Sequence, residues 1–137
     1  MKESELTRQK LLDQRRELMA SLKYASFIQR AVLPDHKYME NTLKDFFILH
    51  KPRDIVSGDF YYCVRKEEYI VVAAGDCTGH GVPGALMSIM GVSFLNEILS
   101  IRGPIRSSRI LNLLRERVMK ALHQKGHELE NKDAMDM

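Results

Sequence analysis

DIVSGDFYYCVRKEEYIVVAAGDCTGHG, residues 54–81, is the stretch whose reading decides the fold. Residues 54–65 and 69–76 are rich in β-branched and aromatic side chains, and the polar break between them is Lys66-Glu67-Glu68, so the sequence predicts a β-hairpin. A turn centred between Glu67 and Glu68 sets Asp59 opposite Asp76 on one face, with β-carbons roughly 4.5 to 5.5 Å apart. Two carboxylates so placed repel, and a hard cation bound by their oxygens and by water would remove the penalty. Glu-Glu is not the Asn-Gly or Asp-Gly that a tight primed turn favours, and a slip of one residue would make the contact diagonal. The bland alternatives are that Asp59 is a turn or capping residue and that Asp76 only caps the helix after it.

That helix follows a glycine-rich turn, Asp76-Cys77-Thr78-Gly79-His80-Gly81-Val82-Pro83-Gly84. Glycines let backbone approach a ligand closely, and a helix N-terminus favours an anion, so a metal and a phosphate could meet here. His80 is a candidate general acid, metal ligand or phosphate contact, or else an orienting or solvated loop histidine. Arg53 could grip a phosphate with both arms of its guanidinium; a salt bridge to Asp54 or another acid is the structural alternative. Cys77 has no base at a known spacing, so it reads as a small buried residue whose backbone carbonyl faces the site.

At 137 residues the chain is long enough for one domain with a real core. The net charge of +3 comes from 21 basic and 18 acidic side chains spread along the chain, and no basic stripe with interleaved aromatics could stack bases, which argues against nucleic acid. The N-terminus is charged and no apolar run is expected to approach the roughly 20 residues of a membrane span, so the chain reads as cytoplasmic, with Cys63 and Cys77 as reduced thiols.

Residues 4–33 lack Gly and Pro and predict one long helix, with Leu11, Leu18, Leu22, Ala25, Ile28 and Val32 as an apolar stripe for the domain or for a coiled-coil partner; Pro34 ends it. Residues 1–34 thus read as a linker helix and 35–137 as the domain. Residues 36–52 are mixed, with 46–49 (FFIL) read as a strand. Residues 85–101 predict a helix with Pro83 in its first turn, and a third helix is expected to be capped by Ser107 or Ser108 and to end at Gly126.

Three segments in order, residues 31–34 (AVLP), 54–61 (DIVSGDFY) and 75–85 (GDCTGHGVPGA), resemble the stage II sporulation protein E type of bacterial serine phosphatase, in the metal-dependent superfamily that includes protein phosphatase 2C. Ser57 stands where many members carry Gly, and Tyr62 where many carry Asp. The resemblance implies an α+β fold, an α/β/β/α sandwich with two Mn²⁺ or Mg²⁺ ions between antiparallel sheets, hydrolysing phosphoserine or phosphothreonine with metal-activated water. It makes Asp59 and Asp76 metal ligands and catalytic residues and the Cys77 carbonyl a third donor; Arg53, Gly79, His80 and Gly81 stand, from their own chemistry, as the candidate phosphate surroundings. Residues 132–137 resemble the start of a mid-domain strand beyond which the family has further aspartates, so this chain reads as the N-terminal half of the domain, weakly active or inactive. A phosphorylated protein substrate, of the anti-sigma-factor antagonist type, an upstream sensory module and a homo-oligomer are the implied partners. The competing reading is a non-catalytic, helix-mediated oligomerisation module.

Overall fold

The computed structural model describes residues 2–124 and 133–137. In chain order the elements are α1 (Lys2–Val32), α2 (His36–Thr42), β1 (Phe60–Lys66), β2 (Tyr69–Cys77), α3 (Gly81–Leu99), α4 (Ser107–Ala121) and β3 (Met135–Asp136). The strands form one antiparallel sheet in the order β1-β2-β3. This is the expected α+β arrangement of a long helix, an antiparallel sheet and a helical layer.

The hairpin takes the expected register, from Phe60 opposite Gly75 to Lys66 opposite Tyr69. The turn chemistry is poor, since Glu67 adopts a left-handed φ of 51°. Tertiary anchors hold it: the buried Lys66 ammonium donates to the carbonyls of Leu99, at 2.9 Å, and Ile101, and the Glu67 carboxylate accepts from Gly103 N at 3.1 Å. The hairpin's end is thereby tied to the C-terminus of α3, whose last carbonyls lack helical partners.

Alternation along the strands divides the sheet into two faces. Phe60 and Tyr62, with Cys77, turn toward α3 and α4 and join Leu95, Ile98, Ile110, Leu114 and Val118 in the core. Phe60 covers Gly75, and Gly91 lets α3 approach the sheet closely, because a Cβ there would lie 2.5 Å from Met135 and 3.1 Å from Phe60. Tyr62, the residue that departs from the family pattern, points away from the aspartates and donates its hydroxyl to Asn96 at 2.7 Å. Asp59, Val72, Ala74 and Asp76 belong to the opposite face and are exposed.

Several expectations need correction. Residues 46–49 form no strand; they are irregular and unpaired, with Phe47 90% exposed, because among the described residues no neighbouring strand offers a ladder. The segment read as mixed contains α2, started by Asp35, whose side chain accepts from Tyr38 N. α4 begins one residue earlier than a serine cap allows, with Arg106 at the N-cap and no side-chain cap bond. It closes at Ala121, and Gly126 lies outside the described residues. The apolar stripe of α1 is divided: Leu22, Ala25, Ser26 and Gln29 turn to the domain, whereas Leu11 and Leu18 are exposed. α3 is in fact long and apolar enough to cross a membrane, contrary to expectation, but half of that segment is buried inside the domain.

Candidate metal and phosphate site

The ladder that pairs Phe60 with Gly75 brings Asp59 and Asp76 together one step further on, at the end of the open face. Their carboxyls lie close enough to act on each other. Hydrogen bonding to Asp59, then its negative charge, then slight desolvation raise the Asp76 carboxyl above its ordinary value of 3.8. Asp76 does not cap α3. The N-cap is His80, in extended conformation and without a side-chain cap bond.

The backbone around the pair is tightly packed. A Cβ on Gly58 would lie 2.8 Å from the Gly79 carbonyl oxygen and 3.2 Å from that of Cys77, and one on Gly84 would lie 2.7 Å from the Gly79 oxygen. Gly58 and Gly84 therefore admit no side chain, and the Cys77 carbonyl is held against the residue that precedes Asp59. The Cys77 thiol turns the other way into the core, and burial first, then the charges of Asp76 and Asp59, push it up to about 12, too high for a nucleophile.

A polar network supports this loop from behind. Gln29 of α1 accepts from Ser57 N at 2.9 Å and donates to the Ser57 carbonyl and to Ser88 Oγ on α3, at 2.8 Å. Ser57 Oγ accepts from Asp59 N at 3.0 Å. His50 sits edge-on to Tyr61, its Nε2 3.2 Å from the Asp59 carbonyl oxygen. Ser57 is thus wired to both α1 and Asp59. Sequence reasoning misses Gln29 and His50, since one polar residue in a helix or loop has no periodic signature.

Of the other predicted site residues, His80 lies on the same loop, between Gly79 and Gly81, whose φ values of 86° and 64° require glycine. Its Nδ1 meets Asp54 Oδ2 at 2.9 Å. The suggested Arg53–Asp54 salt bridge does not form: Asp54 takes His80, and Arg53 is exposed without a hydrogen bond or ion pair among the described residues. A third aspartate enters the row, since β3 pairs Asp136 with Asp76. That pairing spans sixty residues of sequence, so no local pattern announces it.

Two facing carboxylates are hard oxygen donors and suit Mg²⁺ or Mn²⁺. Among the described residues no three His, Cys, Asp or Glu side chains converge tightly enough to hold an ion by themselves. Any ion here would complete its shell with water or with groups from elsewhere.

No family model matches the chain. Over 98 residues it is 30% identical to phosphoserine phosphatase RsbU of Bacillus subtilis (strain 168), covering 72% of this chain and 28% of that protein. The SiaA-PP2C domain of Pseudomonas aeruginosa has a similar structure, with a TM-score of 0.74 and 33% identity, covering 88% of this chain and 48% of that one. The chain therefore spans just over a quarter of the curated relative and about half of the structural one.

Proposed function

We propose, for a chain that carries part of a PP2C-like phosphatase domain, that it serves a metal-dependent protein serine/threonine phosphatase acting on phosphoserine in a bacterial signalling pathway, in the cytoplasm. The observation that carries this reading is that the hairpin ladder sets the Asp59 and Asp76 carboxyls facing each other at its open end. In this reading Asp59 and Asp76 hold Mn²⁺ or Mg²⁺ with the Cys77 carbonyl as a third donor. The ion supplies Lewis acidity and an activated water. The chain's own groups do the rest: Gly58 and Gly84 keep the loop close, Gly79 and Gly81 shape a backbone recess, and His80 and Arg53 face the phosphate.

With two carboxylates in place the site holds ions weakly, so we expect this span alone to turn over slowly or not at all. The substrate is a phosphorylated protein, of the anti-sigma-factor antagonist class. Residues 1–34 act as a linker from a sensory module, and their exposed Leu11 and Leu18 pair with a second copy. A purely non-catalytic oligomerisation module would have no reason to hold two carboxyls facing each other.

The test is hydrolysis of a phosphoserine peptide and of p-nitrophenyl phosphate with Mn²⁺, by this chain and by a longer form carrying further strands and aspartates. The expected result is activity in the longer form, lost in its Asp76→Asn variant, and negligible activity in this chain. Undiminished turnover by the Asp76→Asn variant would refute the proposal.

A further inference from the structure

Asp54 opens the hairpin stretch and bonds across it. Its Oδ2 lies 2.9 Å from Nδ1 of His80, and 3.8 Å from the place a Cβ on Gly81 would occupy, so this carboxylate sits over the Gly79–Gly81 turn. An ionised carboxylate only accepts, so the proton must be on Nδ1. Which imidazole nitrogen is left for other work is set by the bond the first one makes. The ring has no capping bond to α3, and Asp54 is its one hydrogen-bond partner among the described residues. Nε2 is left free.

We propose that Asp54 is a positioning residue: by accepting from Nδ1–H it leaves Nε2 of His80 to meet a phosphate group, accepting a P–OH proton in the neutral ring and donating Nε2–H in the imidazolium. With both nitrogens protonated, the ring keeps Asp54 on Nδ1 and donates Nε2–H to the anion, adding a charge-assisted bond at the Gly79–Gly81 turn. This rests on the reading of Asp59 and Asp76 as a phosphatase centre. The alternative is an ordinary surface ion pair, since the side chains are 64% and 42% exposed and such pairs contribute little.

Nitrogen-15 spectra of the His80 ring in the whole chain separate the two. In the neutral ring we expect a pyrrole-type Nδ1 and a pyridine-type Nε2, and in Asp54→Ala both signals move toward an averaged position. With Mg²⁺ and inorganic phosphate, Nε2 shifts toward its protonated position in the unmodified chain, and this response is lost in Asp54→Ala. Should Asp54→Ala not fold, Asp54→Asn serves, because its amide can present either oxygen or nitrogen to Nδ1 and the tautomer preference collapses. Averaged ring signals in the unmodified chain, a tautomer unchanged by either substitution, or no phosphate response would each overturn the proposal. Amide shifts of Asp59 and Asp76 on adding Mg²⁺ are read in the same spectra, so a failure of the metal-site reading is seen separately from a failure of the Asp54 contact.

Discussion

The two faces of the β1–β2 hairpin are made from alternate residues of the same strands and are put to opposite uses. One face carries Phe60 and Tyr62 into a core with Leu95 and Ile98, both fully buried. The other carries Asp59 and Asp76, exposed and facing each other, beside an open surface that includes Val72 at 61% exposure. Because the strand period is two, one register both buries Phe60 and brings the carboxylates together; a single-residue slip would exchange the faces. Folding energy from the packed face therefore holds like charges at a proximity they would not adopt unaided.

Substitutions on the two faces should separate stability from ion binding. Leu95→Ala, at the centre of the packed face, is expected to lose about 2–5 kcal/mol by transfer and cavity terms, read from the urea midpoint. Gly58→Ala lies where the faces meet, against backbone that cannot yield. It should lose about 1–3 kcal/mol and weaken Mn²⁺ binding as well. Gln29→Ala leaves Ser57 N without its partner, while Ser88 Oγ still donates to the Ser57 carbonyl, with an expected loss of about 1–3 kcal/mol and faster amide exchange at Ser57 and Asp59. A drop in stability with no change in exchange at the loop would mean that α1 and the site are not coupled.

Asp76→Asn should leave stability unchanged or slightly higher at neutral pH. The sign follows from the raised carboxyl: the folded chain binds its proton more tightly than the unfolded one, so the contribution is fully present below 3.8 and is lost as pH rises through the raised folded value. The metal-free chain should therefore be relatively more stable at the acidic end of this window than the Asn variant's pH profile predicts. Identical profiles for the two would show that the pair carries no strain.

The hairpin and its facing aspartates are legible because β-branched and aromatic runs flank one polar break, and register then follows from counting. α2 is obscured by its seven residues, too few to display a stripe, with only Asp35 as a start signal. Residues 46–49 have strand propensity and, among the described residues, no strand to pair with, so context overrides it. Gln29, His50, Asp54 and Asp136 reach the site through contacts distant in sequence, which no local period encodes.

The central claim is that the open face holds a cation because Asp59 and Asp76 face each other. Calorimetric titration of Mn²⁺ into the unmodified chain and into the folded Asp59→Asn/Asp76→Asn double variant tests it most directly. The account predicts weak, saturable binding to the unmodified chain that disappears in the double variant; equal binding to both would place the ion elsewhere and contradict it.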